Sequence, residues 1–323
     1  MSEIPSQNNE NSREEKTGEL KRKTGIDKLV GFSQGEEREV SEFLENQKFN
    51  FPERQKTPEE IKIIKNILIK MPWFIEKYGG TAFNFLEEKI HFLSDDSDLK
   101  HTRTQSGFHD AIKSSIVIFD SNNVLLNTNI IVHELIHANS FQSVELSKES
   151  KEGRIGIDTR RTGFEVHGRK NRKEYFFTDI NEAVIEVLVK RFDKEYFQSI
   201  PELSERVKER EEFIANALKN RPQDTDKLED IASVELKQLD SGEFKASIFS
   251  YTRVKEREQL NNLIKDIYQK NQDQFSSTED VFNIFAKAIM NGKILEVARL
   301  VEKTYGKGSF RKLGEQTKGA ERE

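Results

Sequence analysis

Cysteine is absent from the 323 residues. That excludes disulfides, thiol nucleophiles, zinc fingers and iron–sulfur clusters, and leaves histidine and carboxylate as the only ligands for a transition metal. Histidine itself is scarce, six in all, so each one is worth locating. Long apolar runs are also missing: none approaches the ~20 residues that cross a bilayer. The opening stretch MSEIPSQNNENSREEK has no basic region leading into an apolar one, so no secretory leader is read there and the expected compartment is the cytoplasm, with no membrane partner. A basic excess is lacking too. The 52 Lys and Arg against 57 Asp and Glu leave a net charge of −5, which argues against a dedicated nucleic-acid binder. The local exception from Arg160 to Lys173, with Arg161, Arg169, Lys170 and Arg172 between, reads as a solvated hairpin loop.

Apolar residues make up 34% of the chain, and the 17 glycines raise this to about 39%, short of the roughly 45–50% of ordinary globular chains. Part of the length is therefore expected outside a packed core, although 23 phenylalanines can fill a real one. The length suggests about two domains. Residues 1–28 hold only Met1, Ile4, Leu20 and Ile26 as apolar side chains, too little buried surface to offset chain entropy. A largely disordered polar tail is expected over 1–56, with order beginning weakly near Leu29. Order is firm at Thr57-Pro58-Glu59-Glu60, a capped helix start with proline at the first helical position. The helical run Ile61, Ile64, Leu68, Met71 is expected to stop at Pro72.

Between Gly79-Gly80 and residue 200 the pattern interleaves strands and helices. Lys89 to Leu93, Ile116 to Phe119 and Val124 to Leu126 read as strands, Thr128 to Ser140 as a helix, Gly163 to Val166 and Glu174 to Phe177 as a hairpin, and Asp179 to Phe192 as a second helix. From Pro201 onward strand signals vanish and helical periodicity dominates, as in Leu260, Leu263, Ile264, Ile267 and Phe282, Phe285, Ile289. The predicted division is an α+β unit over 57–200, an all-helical subdomain over 201–313 and a polar tail over 314–323.

The chemistry is concentrated in His133-Glu134-Leu135-Ile136-His137, an HExxH sequence on an apolar helix. Residues four apart share a helix face, so both imidazoles point the same way, one turn apart, as two ligands of one ion require. Glu134 is placed to reach a metal-bound water without ligating the metal. The alternative is a pair of ordinary histidines on an ordinary helix, and a third ligand decides between them. A metzincin continuation fails, because Ser140 and Ser143 stand where glycine and a third histidine belong. Downstream, the helix Thr178 to Val189 is apolar almost all round yet carries Glu182 and Glu186 on one face. Buried carboxylates need a cationic or metallic partner, and the HExxH site would provide it.

HELIHA followed by a helix reading NEA and a further glutamate at 186 resembles the gluzincin branch of zinc metallopeptidases. The resemblance covers residues 85–195 and implies a zincin-like core: a small mixed sheet, an HExxH helix and a glutamate helix. It implies Glu182 as the third Zn2+ ligand beside His133 and His137, and Glu186 as the carboxylate that orients a ligand histidine. The 45 residues from His137 to Glu182 are more than in thermolysin-like enzymes and similar to lethal-factor-type and compact minigluzincin cores. Tyr251, read as opening a helix to Lys270, lies about where gluzincins carry an oxyanion-binding group. Tyr175 is the rival, similar to the tyrosine of lethal-factor-type sites, and packing is the competing role for either.

The expected function is a zinc-dependent hydrolase, a peptidase acting on a peptide or protein substrate. Zinc would lower the pKa of its water to about 7, Glu134 would act as general base, and Tyr251 would stabilise the oxyanion. An extended substrate would add to the edge formed by Ile116 to Phe119 or Val124 to Leu126. The alternative is a metal-stabilised scaffold without activity, against which the retained Glu134 argues. His91, His101 and His109 read as structural or solvated, and His167 is held in reserve as a substrate contact. Lys190, Arg191 and Arg253 read as ordinary solvated charges near the cleft.

Overall fold

The computed structural model describes residues 20–21, 24–45, 52–93, 106–147, 156–168, 174–220, 223, 225–238 and 244–317. His101, the tip of the basic run at 169–173, the first 19 residues and the last six lie outside the described residues.

The elements are, in order, β1 (Lys28–Val30), α1 (Gln34–Glu45), β2 (Glu53–Arg54), α2 (Pro58–Lys77), β3 (Ile90–Leu93), β4 (Gly107–Asp110), β5 (Ser115–Ile118), α3 (Val124–Asn139), β6 (Gln142–Ser147), β7 (Gly156–Thr162), β8 (Glu165–His167) and β9 (Tyr175–Phe176). They continue with α4 (Thr178–Tyr196), α5 (Pro201–Asn220), α6 (Thr225–Leu228), β10 (Ile231–Gln238), β11 (Phe244–Ser250), α7 (Val254–Lys270), α8 (Thr278–Asn291), α9 (Ile294–Tyr305) and α10 (Ser309–Gln316). The architecture is mixed α+β. Among the described residues no helix is long and apolar enough to cross a membrane.

One sheet has the order β2-β3-β5-β4, with β3 and β5 parallel and both outer strands antiparallel to their neighbours. The other has the order β1-β6-β7-β8-β9, with only β1 and β6 parallel. Helices α3 and α4 pack against each other, and α4 also packs on α7. One hydrophobic cluster joins Ile64 and Phe74 of α2, Ile116 of β5, Leu135 of α3, Leu188 of α4, Ile264 of α7, Phe285 of α8 and Val301 of α9. The helical last third therefore shares its core with the strand-bearing middle.

Several expectations need correction. Pro72 lies inside α2, which runs on to Lys77. An interior proline costs about 3 kcal/mol, and burial of Phe74 and Ile75 beyond it, at roughly 1.5–3 kcal/mol each, offsets this. Val124 to Leu126 form the first turn of α3 rather than a strand, because the Asn123 side chain caps the helix by accepting from Leu126 N–H. The last third is not all-helical: β10 and β11 pair as an antiparallel ribbon. The segment before residue 57 is not uniformly disordered either. Ile26, Val40 and Leu44 close on Val144 in a small cluster of their own, and β1 pairs with β6.

Candidate metal centre

Helix α3 is buried on most of its surface, so its polar side chains are not there for solubility. Helix α4 starts after Phe177, which adopts a left-handed conformation (φ 64°). Asn181, just ahead of Glu182, accepts a hydrogen bond from Phe164 N–H at 2.9 Å and so ties α4 to the turn between β7 and β8.

The two helices bring together the residues singled out as ligands. Glu182 Oε2 lies 3.4 Å from His133 Nε2, and its Oε1 lies 3.4 Å from His137 Nε2. The two Nε2 atoms are 3.1 Å apart. Zinc at ~2.0–2.1 Å from each ligand, with tetrahedral angles, places ligand atoms roughly 3.3–3.4 Å from one another. Among the described residues this trio is the group able to hold a metal ion, with one ligand atom from each residue and all of them within 4.8 Å of one another; Glu182 turns one oxygen to each imidazole, so a single oxygen closes on both only with a small rotation of its carboxylate. Glu186 Oε2 sits 2.9 Å from His133 Nδ1, so a proton on Nδ1 is held there and Nε2 keeps its lone pair for a metal. Glu186 is fixed in turn by Thr252 N–H, which donates to Oε1 at 2.7 Å.

Burial opposes charge on all of these groups, yet their pairing outweighs it. His133 is held well above the usual imidazole range by Glu182 and Glu186 despite its desolvation. Against the same burial, the neighbouring histidines keep Glu182 well below the usual carboxylate range. Glu186 is lowered for the same reason through His133. Glu134, buried at 7% exposure, lines the same cleft as the trio, and its charge also favours protonated His133.

The cleft has a volume of about 1000 Å³ and is walled by β4, α3, α4 and the segment from Ser250 to Glu256. Its strand wall differs from the expected one. β5 is flanked on both sides, and the edge strand at the cleft is β4. Close approach explains a glycine there: a Cβ on Gly107 would lie 2.7 Å from Ile130 Cγ2 on α3 and 2.9 Å from Val117 O. His109, one of β4's residues, also lines the cleft. Burial pulls it down to about 3, helped by the charges of His137 and Lys21, so it is a neutral hydrogen-bonding group at neutral pH. Sequence reasoning put it in a polar loop, and no local signal separates it from one.

The tyrosines are placed differently from expectation. Tyr251 lies ahead of α7, which begins only at Val254. It is 4% exposed, and its hydroxyl donates to Asp193, itself in a buried ion pair with Arg210. Its donor is thus committed to the core, which corrects its assignment to the oxyanion. Tyr175 packs edge-on against His167, ring centroids 4.7 Å apart, and of the two His167 lines the cleft.

Of the three charges read as solvated, Arg253 is the one that reaches the trio. Its φ of 56° is unusual for a side chain of this size. Its Nη2 lies 3.9 Å from Glu182 Oε2 while 40% of the side chain stays exposed. The preceding turn is fixed by Thr252 N–H on Glu186 and by Arg257 Nε–H on Thr252 O. Lys190 pairs instead with Asp230, and Arg191 with Glu279. His91 pairs with Glu53, a structural role as read. No protein-family model, curated protein or solved structure matches the chain.

Proposed function

We propose that the chain is a zinc-dependent hydrolase, a peptidase of gluzincin type. The observation that carries this reading is the convergence of His133, His137 and Glu182 at 3.1–3.4 Å, with Glu134 buried in the same cleft. Bound zinc would supply Lewis acidity, lowering a water's pKa to about 7 and polarising the scissile carbonyl.

The chain's own residues do the rest. Glu134 takes the proton of the attacking water and returns it to the leaving amine nitrogen. Glu186 holds the His133 proton on Nδ1, and so keeps Nε2 available. The β4 edge pairs with an extended peptide backbone across the cleft mouth. Arg253, reaching in from outside the two metal helices, donates to the oxyanion in place of Tyr251.

The test is elemental analysis of the purified protein, followed by digestion of a peptide library with wild type and Glu134→Gln. Stoichiometric zinc is expected, together with cleavage that falls by about 10²–10⁴-fold in the variant. Absence of zinc, or equal cleavage by both proteins, rejects the reading. Bound zinc without cleavage by either leaves a metal-stabilised scaffold.

A further inference from the structure

Beyond the trio the lining of the cleft is chemically uneven. Asn129, His133 and His137 recur at four-residue spacing and so share one face of α3. His137 meets Glu182, whereas His133 meets both Glu182 and Glu186, so α3 and α4 run antiparallel here. A step from His133 toward the start of α3 reaches Asn129, and the matching step from Glu186 along α4 reaches Val189. Both line the cleft together with Leu126, Ala232 and Ser250.

Asn129 is only 6% exposed, and neither its Oδ1 nor its Nδ2 has a hydrogen-bond partner among the described residues. A buried amide with both donor and acceptor unmet is costly to keep, and Leu126, Val189 and Ala232, which line the same cleft, have no polar side-chain group to offer it. We propose that Asn129 is the recognition group of a side-chain pocket that takes the carboxamide of a glutamine or asparagine next to the scissile bond. This rests on the peptidase reading and names its substrate class.

The fit is chemical and geometric. A carboxamide presents its acceptor and donors on separate atoms in one plane, so it meets both atoms of the Asn129 amide with two parallel hydrogen bonds, whereas a hydroxyl must donate and accept through a single oxygen. The side chains of Leu126, Val189 and Ala232 offer a charged group no hydrogen bond, which burial disfavours. In the peptidase reading the substrate main chain is engaged at β4, which leaves a side chain to reach Asn129. In an extended peptide alternate side chains point to one face, and those facing α3 drop toward Asn129.

Binding tests this apart from catalysis. Zinc-loaded Glu134→Gln is titrated with fluorescently labelled, blocked alanine hexapeptides carrying Gln, Asn, Ser, Leu or Lys at the fourth position. The Gln or Asn peptide is expected to bind at least tenfold more tightly than the Leu peptide. Adding Asn129→Leu should invert that order. Asn129→Asp, which keeps the shape and covers the case of a Leu variant that does not fold, should shift the preference at least tenfold toward Lys. Tighter binding of Leu than Gln, an order unchanged by both substitutions, or no binding of any peptide overturns the proposal. Failure of wild type to cleave counts separately, against the peptidase reading, since the binding order is measured without turnover.

Discussion

His133 is gripped between two carboxylates, and this has a consequence for pH. Its folded pKa is raised, so its contribution to stability in the zinc-free protein is complete below the unfolded value of about 6.5 and is lost as pH rises through the folded value. Glu182 and Glu186 are lowered, so theirs is present above about 4.3 and lost as pH falls through their folded values. Together the three favour the zinc-free fold between about pH 4.3 and 6.5. Zinc requires neutral His133, so its binding displaces a proton. Competition titrations with a chelator are expected to show zinc affinity rising by up to about tenfold per pH unit above 6.5 until His133 deprotonates. A flat profile would contradict the pairing. The two cleft residues near Glu186 separate just as sharply. Tyr251→Phe removes a donor from buried Asp193 and should cost about 1–3 kcal/mol in urea unfolding, with kcat changed little. Arg253→Ala should leave stability nearly untouched while kcat falls by about 10²–10³-fold.

At the scale of elements, what was legible followed from strong local patterns. Helices α3 and α4 carry acids and imidazoles on otherwise apolar surfaces, and that mismatch between burial and polarity survives in the bare sequence; it led to His133, His137, Glu182 and Glu186, which the fold does bring together. The cleft strand was not legible, because Gly107-Phe108-His109-Asp110 has neither β-branched residues nor alternation, and its pairing is set by contact with β5 and α3. The β10–β11 ribbon was missed although Ser233-Val234-Glu235-Leu236-Lys237 alternates; the register shift between Ile231 and Ser233 leaves that alternation short, and the strong helical periodicity on either side masks it. Val124 to Leu126 misled because a short apolar run reads as a strand, whereas Leu125 and Leu126 are good helix formers and the Asn123 side chain caps the turn. The join between hairpin and glutamate helix is testable at Gly163, which has φ +56° and would place a Cβ 2.4 Å from Asn181 Oδ1. Gly163→Ala must adopt the left-handed region, at about 1–2 kcal/mol, and displace the Asn181 bond to Phe164, at about 0.5–1.5 kcal/mol. Unfolding in urea should register about 1.5–3.5 kcal/mol, and zinc affinity should drop with it because Asn181 adjoins Glu182.

Across the whole molecule, helix α3, which carries the HExxH sequence, is anchored by a segment that composition assigned to a disordered tail. Counting apolar residues before Leu29 misses this, because the anchor is polar. Lys21 Nζ donates to Ser140 O at 2.6 Å and Ala138 O at 3.2 Å, closing the end of α3 just after His137. It also pairs with Asp27 Oδ2 at 3.0 Å, which in turn accepts from Gln142 N–H at 2.7 Å at the start of β6. Burial lowers the Lys21 pKa and raises that of Asp27, so each opposes its own charge and depends on the other. Removing one partner leaves a buried charge uncompensated, which typically costs about 3–5 kcal/mol, whereas replacing both with apolar residues is often neutral. Lys21→Met is therefore expected to lower the unfolding free energy by about that amount and to weaken zinc binding, because the helix end carrying His137 loses its donor. The double variant Lys21→Met/Asp27→Leu should recover most of the stability and less of the zinc affinity, since the carbonyls of Ala138 and Ser140 remain without their ammonium. Equal recovery of both would mean that the ion pair alone, and not the capping of α3, links this segment to the site.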